Sequence, residues 1–229
     1  MSGWDEHVER ELRRYEDGEA RLSSIEDADE RQRQLTRMGN AAGGAGLALL
    51  MAGRAREAAV WLGRAAERYR QSFASAPPGS WGRPIGAVKA RLLASDWRRA
   101  AADARWALET GARAADSPIA RYAACLALLV LGADEEATVT ADTLRGRDDF
   151  PADVAEALAA LGRRDGGAYR TAVASVLRSF ESRTAYLEDI PVADTVLVLQ
   201  ALAGRRGMAA SLASPLLPST AGAAAEAGT

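Results

Sequence analysis

The chain has one cysteine and one histidine, and both shortages limit its chemistry. Cys125 alone cannot form an internal disulfide or a multi-cysteine metal site. It lies in the apolar run AACLALLVLGA, which favours a small buried residue over a nucleophile. His7 has no second histidine to share a metal, and any Ser-His-Asp or Cys-His site would have to use this one ring. We therefore expect no metal site, no cofactor and no catalytic residue.

Long apolar runs are missing as well. The longest, around residues 41–53 and 123–133, fall well short of the roughly 20 residues that span a bilayer. The chain opens MSGWDEHVERELRR, with acidic residues where a secretory signal has a basic and then an apolar segment. The net charge of −2 gives no overall attraction to nucleic acid or to an anionic membrane. We expect a soluble, cytoplasmic protein without a membrane partner.

Signals for β-strands are absent too. The sequence shows no period-2 alternation of β-branched or aromatic residues, and it contains only three phenylalanines. Alanine, leucine, arginine and glutamate, all strong helix formers, dominate instead. Apolar residues follow helical spacing, as Val8, Leu12 and Tyr15 do in the first segment. The sequence therefore predicts an all-α protein.

Proline and glycine cluster between the periodic segments, where they predict helix boundaries rather than a linker between domains. These clusters lie at 75–84, 115–118, 147–153 and 188–191. After Leu217 the chain reads PSTAGAAAEAGT, which contains nothing large to bury. We expect one domain over residues 1–217 and a disordered tail over 218–229.

Four segments of the chain can be superposed. Each begins with a small residue and has an alanine five positions later. The small residues are Gly53, Ser95, Gly132 and Gly167, and the alanines are Ala58, Ala100, Ala137 and Ala172. An apolar helical run precedes each copy, such as AGLALLMA or AACLALLVL. The pattern predicts a helix, a tight turn and a second helix, with the alanine where the two helices approach closely.

This pattern resembles the tetratricopeptide repeat, whose usual period is about 34 residues. In the first copy Gly46, Gly53, Ala58 and Ala65 stand where that family has small residues. The resemblance covers roughly residues 40–185, although the helix-A glycine is missing from the later copies. It implies a short array of antiparallel helical hairpins, which we expect N- and C-terminal helices to close.

The resemblance also implies which residues face the concave groove of the array. They are Asn40, Gly43, Leu47, Leu50 and Met51 in the first copy, Ile85, Lys89, Leu92 and Leu93 in the second, and Ile119, Tyr122, Leu126, Leu129 and Val130 in the third. Monomers rarely expose so apolar a surface. Either the chain's own terminal segments or a partner must cover it, and we expect the terminal segments to do so.

The stretch RTAYLEDIPVADT, residues 183–195, contains the densest group of polar and aromatic side chains. We predict one helix over VASVLRSFESRTAYLE before it. Asp189 is then the predicted N-cap of the next helix, with Pro191 in its first turn and Asp194 near its positive end. That helix is predicted to end at Gly204 or Gly207. Capping leaves Arg183, Tyr186 and Glu188 unexplained.

A second resemblance concerns the C-terminal part of the chain. ADTVLVLQALAGRRGM, followed by SPLLP, resembles the end of family 49 of the polymorphic-toxin immunity proteins over some 30 residues. It implies a helical protein that binds and blocks a toxin. The leading hypothesis is therefore a non-catalytic protein–protein interaction protein, an immunity or adaptor protein, of undetermined oligomeric state. Its candidate partner-binding residues are Arg121, Tyr122, Arg183, Tyr186, Glu188 and Asp194.

Two alternatives stay open. The same side chains, Tyr122, Arg183, Tyr186 and Asp194 in particular, could meet in one concavity of a ligand-binding or enzymatic protein. Arginine doublets at 98–99, 163–164 and 205–206 could instead line one edge of the array and bind phosphates of nucleic acid. Each doublet lies near a helix end beside acidic residues, which is typical of a solvated face, so we do not expect nucleic acid as a partner.

Overall fold

The computed structural model describes residues 3–219, which form ten α-helices, one 3₁₀ turn and no β-strand. The helices are α1 Gly3–Leu22, α2 Ala28–Met51, α3 Ala55–Phe73, α4 Gly82–Leu93, α5 Trp97–Glu109, α6 Pro118–Leu131, α7 Asp134–Asp142, α8 Ala152–Gly162, α9 Gly166–Glu181 and α10 Asp194–Gly204, with the 3₁₀ turn Leu187–Asp189 before α10. The prediction of an all-α protein is confirmed.

Helices α2 to α9 form four antiparallel hairpins stacked side by side. Each helix packs on its sequence neighbours, and the first helices of successive hairpins also meet, α4 with α6 and α6 with α8. At one end α1 packs along α2, while α10 packs across the later hairpins, against α4, α8 and α9. The array is therefore closed by its N- and C-terminal helices, as predicted.

The same tight turn joins the two helices of every hairpin. Its central residue has a left-handed backbone conformation, and it is Gly53, Ser95, Gly132 or Arg164. In the first turn the amide of Gly53 donates to the carbonyl of Leu50 over 3.0 Å, and that of Arg54 to Leu49 over 2.9 Å. These bonds satisfy the carbonyls that end the first helix, and the other three turns have equivalent bonds.

The predicted alignment of the fourth copy, which starts at Gly167, is wrong by three residues. The left-handed residue there is Arg164, and Asp165 caps α9 by accepting hydrogen bonds from the amides of Gly167 and Ala168. The residue five positions after the turn is fully buried in all four hairpins, but in the fourth it is Tyr169 rather than Ala172. Arginine rarely adopts a left-handed backbone conformation. The glycines that follow Arg164 resemble the glycines of the other turns in the sequence, so they were aligned with them instead.

The expected path of residues 173–195 also needs correction. Helix α9 ends at Glu181, and α10 begins only at Asp194, after Ala193. Asp189 does not cap α10, because it lies in the 3₁₀ turn with a φ of 53°. Proline keeps the residue before it out of the helical region, and the buried Ile190 and Val192 anchor an extended segment here.

The predictions for Asp194 and for the C-terminal end of α10 agree with the structure. Asp194 occupies the first turn of α10, and the helix ends at Gly204, one of the two predicted positions. Arg206 donates to the carbonyl of Leu202 in the last turn. Of the predicted tail over 218–229, residues 220–229 lie outside the described part of the chain.

Candidate binding cleft

The concave face of the array is filled in its C-terminal half. Tyr122, Leu126 and Leu129 of α6, which were predicted to face the groove, are buried. They share one apolar cluster with Val196 and Leu199 of α10. Intramolecular packing therefore covers this half, as expected, and the helix that covers it is α10.

The N-terminal half of the groove stays open as a cleft of about 380 Å³. It lies between α2 and α4, with α3 beneath them, and the 3₁₀ turn Leu187–Asp189 borders its mouth. Residues from each of these elements line it, among them Asn40, Leu47, Tyr69, Lys89, Leu187 and Glu188. We call this cavity the cleft.

The cleft changes from polar to apolar along its length. At one end Arg83 of α4 donates to the hydroxyl of Thr36 on α2 over 3.2 Å. Since α2 and α4 run in the same direction, Leu47 and Leu93 line the other end. With a rise of 1.5 Å per residue, the wall from Thr36 to Leu47 is about 16 Å long. The cleft therefore fits an elongated group with one polar and one apolar end.

Tyr69 of α3 sits in the middle of the cleft, between α2 and α4. Its ring fits between Gly39 and Gly86: a Cβ atom at Gly39 would lie 2.9 Å from the ring, and one at Gly86 would lie 2.8 Å from it. The hydroxyl donates to the side-chain oxygen of Asn40 over 2.9 Å. Burial and the nearby charges of Glu188 and Asp194 raise the pKa of Tyr69. The phenol is therefore a neutral, fixed part of the wall.

Glu188 brings the C-terminal half of the chain into contact with the N-terminal half. Its carboxylate accepts a hydrogen bond from Asn40 over 2.9 Å and forms an ion pair with Arg14 of α1. Its carbonyl accepts a hydrogen bond from Arg10 over 2.6 Å. Glu188 and Asp189 both have left-handed backbones, with φ of 55° and 53°. For residues other than glycine such conformations cost on the order of 1–3 kcal/mol each, so surrounding contacts must hold the turn.

A buried carboxylate positions the two arginines that reach Glu188. Glu11 of α1 is fully buried and lies against Gly44, where a Cβ atom would come within 3.1 Å of its side chain. It accepts hydrogen bonds of 2.8 Å from both Arg10 and Arg14. Burial opposes the charge of Arg14, but its bonds to Glu188 and Glu11 outweigh this and raise its pKa. Glu11 thus fixes the positions of the two arginines that bind Glu188.

Lys89, the only lysine of the chain, forms an ion pair with Asp194 across the cleft. It also donates to the hydroxyl of Thr195 over 3.3 Å. Burial is the largest single influence and disfavours its charge, but the charge and hydrogen bond of Asp194, together with Tyr122, outweigh it and raise the pKa of Lys89. This pair joins α4 to the first turn of α10 and closes the cleft at the boundary with the filled half.

Arg83 is the cleft-lining cation without a carboxylate partner among the described residues. Its guanidinium donates to neutral oxygens, those of Thr36 and Gln32. Partial burial lowers the pKa of Arg83, and no acidic group in the described part of the chain offsets this. The polar end of the cleft therefore carries a positive charge that no described carboxylate pairs with.

The six candidate residues do not all line the cleft. Glu188 and Asp194 line the cleft, and Tyr122 is buried near Lys89 and Asp194, whose charges act on its pKa. Burial raises the pKa of Tyr122. The other three do not line the cleft, although the charge of Arg183 acts on the pKa of Lys89. Arg183 stacks on the ring of Phe180 at 3.6 Å, the hydroxyl of Tyr186 donates to the Phe180 carbonyl over 2.9 Å, and Arg121 pairs with Asp116 over 2.8 Å.

Four residues of the cleft and its rim were missed as site residues: Arg10, Arg14, Tyr69 and Arg83. Arginine is frequent in this chain, so nothing local distinguishes Arg10, Arg14 or Arg83 from solvated arginines. Tyr69 could have been found from glycines on both neighbouring helices, because Gly39 and Gly86 leave room for one ring. Asn40 and Lys89 were predicted to face the groove, and both line the cleft.

Four of the six arginines in the doublets form ion pairs with acidic residues. Arg99 pairs with Asp96 over 3.2 Å, and Arg163 pairs with Asp142. Arg164 and Arg206 both pair with Asp134. These pairs offset part of the positive charge of the doublets, which weakens the nucleic-acid alternative.

Over residues 3–219 no group of His, Cys, Asp and Glu side chains has the arrangement of a metal site. Within the same range, no helix has the length and apolarity needed to cross a membrane. No protein-family model matches the chain, and no curated protein and no solved structure is significantly similar to it.

Proposed function

We propose that this protein is a non-catalytic recognition protein that binds a segment of another protein in the cleft. The observation that carries the proposal is the half-open groove: α10 fills one half, while the other half is an open cleft of about 380 Å³ with fixed walls. Binding sites for compact ligands and anchor residues are typically concave, preformed and of this size, with a few polar groups on apolar walls.

The state of the charged side chains favours binding over proton transfer. Lys89 is paired with Asp194, and Glu188 is paired with Arg14. A general acid or base needs a pKa near the working pH, whereas the pKa values of Tyr69 and Lys89 are raised further above neutrality. The lining groups serve better as fixed hydrogen-bonding partners than as a catalytic pair.

The shape and charge of the cleft indicate an amphipathic protein segment. Leu47 and Leu93 offer an apolar end, while Arg83 at the other end lacks a counter-ion among the described residues. A segment with an apolar side chain and, further along, an acidic one would satisfy both ends. Complementary charge of this kind orients a partner and suppresses wrong ones.

Within this class we propose an immunity or adaptor role, in which binding blocks or scaffolds the partner. The support is the resemblance of the C-terminal part to immunity proteins, which makes a toxin the first partner to test. We also propose that the protein acts in the cytoplasm, where the thiol of Cys125 stays reduced.

The test fills the cleft without disturbing the helix that lines it. A Cβ atom at Gly43 would make only ordinary contacts, 3.8 Å from the Tyr69 hydroxyl and 3.9 Å from Ala65, so Gly43→Ala is the matched control. Gly43→Leu projects a larger side chain into the cleft, and both variants gain helix propensity. Partners are captured from the source cells with wild type and each variant, and their bound amounts are quantified.

We expect a protein that is retained by wild type and Gly43→Ala at equal levels and is reduced at least tenfold by Gly43→Leu. Equal retention by all three would place recognition outside the cleft and would overturn the proposal. A circular dichroism spectrum identical to wild type confirms that each variant is folded.

A further inference from the structure

The 3₁₀ turn Leu187–Asp189 occupies the mouth of the cleft with very little apolar burial. The side chain of Leu187 is 71 % exposed, and Asp189 is exposed as well. By contrast Ile190 and Val192, which follow it, are 2 % and 3 % exposed. The amide of Ala193 is further fixed by a 3.0 Å bond to the Leu216 carbonyl. The turn is therefore a loosely packed tip on a firmly anchored base.

Polar contacts to one residue hold this tip in place. Arg10 bonds the carbonyl of Glu188, while Arg14 and Asn40 bond its carboxylate. All three donors belong to α1 and α2, at the opposite end of the chain. Glu188 and Asp189 meanwhile keep left-handed backbones that neither residue favours on its own. Once the contacts of Glu188 are replaced, the strain favours departure of the tip.

The tip also shows that Arg14 and Asn40 at the rim of the cleft bind an acidic side chain. Leu187 and Glu188 place an apolar and an acidic side chain side by side at the cleft. Arg10, Arg14 and Asn40 would be left without these bonds if the tip moved away. A carboxylate from another chain could take them over without any rearrangement of α1 or α2.

We propose that Leu187–Asp189 is a displaceable latch, in which Glu188 holds the place that an acidic side chain of the partner takes when the cleft is filled. This inference rests on the proposed function and adds to it the regulation of the cleft and the anchoring residue of the partner. Partner binding exchanges one carboxylate for another on Arg14 and Asn40, and it releases the strain of two left-handed residues.

The first test biases the latch through Asp189, which is exposed and whose side chain has no hydrogen bond to another residue within 3–219. Asp189→Gly removes the cost of a positive φ and favours the closed latch, whereas Asp189→Val increases that cost and favours opening. The readout is hydrogen exchange of two amides within the turn: that of Asp189 or its replacement, bonded to Tyr186, and that of Ile190, bonded to Leu187. Protection is calculated from the measured exchange rate of each amide and the intrinsic exchange rate of its own sequence, so that the substitution itself does not affect the comparison.

We expect protection of the Ile190 amide to rise about tenfold in Asp189→Gly and to fall about tenfold in Asp189→Val. Core amides of α8 serve as the internal control and should not change. Equal protection of Ile190 in wild type and both variants would show that the turn does not open locally and would overturn the latch.

The second test examines the anchoring carboxylate with defined probes. Glu188→Gly vacates Arg14 and Asn40 while keeping a residue that accepts the positive φ. The dipeptides N-acetyl-Leu-Glu-amide and N-acetyl-Leu-Gln-amide are titrated into this variant and into wild type, and the side-chain amide resonance of Asn40 is followed.

In Glu188→Gly we expect the glutamate probe to shift the Asn40 resonance saturably. The glutamine probe should bind with at least tenfold lower affinity. Wild type should show no shift at the same probe concentration. The same response to both probes, or no response to either, would show that the vacated donors do not select a carboxylate. Neither test uses the natural partner, so the two proposals can fail separately. If both latch tests fail while capture still depends on the cleft, only the latch is wrong. If the latch tests succeed while capture does not depend on the cleft, only the proposed function is wrong.

Discussion

The side-chain amide of Asn40 donates a 2.9 Å hydrogen bond to the carboxylate of Glu188, 148 residues further along the chain. This contact joins the first hairpin to the turn before α10. On one side of it α10 fills the groove of the array, and on the other side the cleft is open. The following predictions test the parts of the structure on which this division depends.

Replacing Gly86 by alanine should destabilise the fold. The added Cβ atom would lie 2.8 Å from the Tyr69 ring, and Gly39 blocks the ring on its other side. Overpacking of this kind costs about 1–3 kcal/mol, which exceeds the helix-propensity gain of at most about 1 kcal/mol. Gly43→Ala, with only ordinary contacts, should be neutral or slightly stabilising. The measurement is the urea unfolding midpoint of each variant. Equal midpoints would mean that the Tyr69 ring can move to make room for the added Cβ atom.

A second pair of glycines separates a close helix contact from an open helix end. Gly162 of α8 lies so near α7 that a Cβ atom would come within 2.9 Å of the Asp134 carbonyl oxygen. Gly204, at the end of α10, has nothing within 4 Å. We expect Gly162→Ala to lower the free energy of unfolding by about 1–3 kcal/mol and Gly204→Ala to leave it unchanged or raised. A tolerated Gly162→Ala would contradict the packing of α7 on α8.

Replacing one partner of the Lys89–Asp194 pair should lower the free energy of unfolding more than replacing both. Lys89→Met leaves Asp194 with a partly buried, uncompensated charge and should destabilise the protein by up to about 3–5 kcal/mol. The double variant Lys89→Met/Asp194→Leu should recover part of this loss. Unfolding free energies at pH 7 give the comparison, and purely additive losses would mean that the pair is not coupled.

The same pair predicts a pH dependence. The folded-state pKa of Lys89 is raised, so the folded protein retains this proton at a pH where the unfolded chain releases it. The stabilisation is complete below the unfolded pKa of about 10.4 and is lost as the pH rises through the folded value. The stability difference between wild type and Lys89→Met should therefore shrink above about pH 10. A difference that stays constant to higher pH would contradict the assignment.

The thiol of Cys125 should be inert until the protein unfolds. It is fully buried, and burial raises the pKa of Cys125 to about 12, against the opposing effect of Arg206. At pH 9 iodoacetamide should label the native protein no faster than it unfolds, and it should label the chain in 6 M guanidinium chloride at the rate of a free thiol. Rapid labelling of the native protein would place Cys125 at the surface.

Local signals account for what the sequence predicts well. Helix propensity and the spacing of apolar residues define the helices, and the small residues Gly53, Ser95 and Gly132 define three of the four hairpin turns. The fourth was misplaced because Arg164 adopts a backbone conformation that glycine usually supplies. Closure by terminal helices followed from the apolar groove, since a monomer rarely leaves such a surface open.

The cleft could be predicted only in part, because distant residues determine its rim. The conformation of Glu188 depends on Arg10, Arg14 and Asn40, and the position of Tyr69 depends on Gly39 and Gly86. Neither set is near in sequence to the residue that it fixes. Arg183 and Tyr186, by contrast, contact a residue that is near in sequence. Arg183 stacks on the ring of Phe180, and the hydroxyl of Tyr186 donates to the Phe180 carbonyl. Their contacts are local, so their density in the sequence does not by itself indicate a site.

Photo-crosslinking from the mouth of the cleft shows whether a partner protein binds there. Benzoylphenylalanine replaces Leu187, which is 71 % exposed beside the cleft, or Val139, which is 68 % exposed on α7. In the source cells, we predict one discrete crosslinked protein from position 187, none from position 139, and loss of the product when Gly43→Leu fills the cleft. A product that survives Gly43→Leu, or arises only from position 139, would contradict the account.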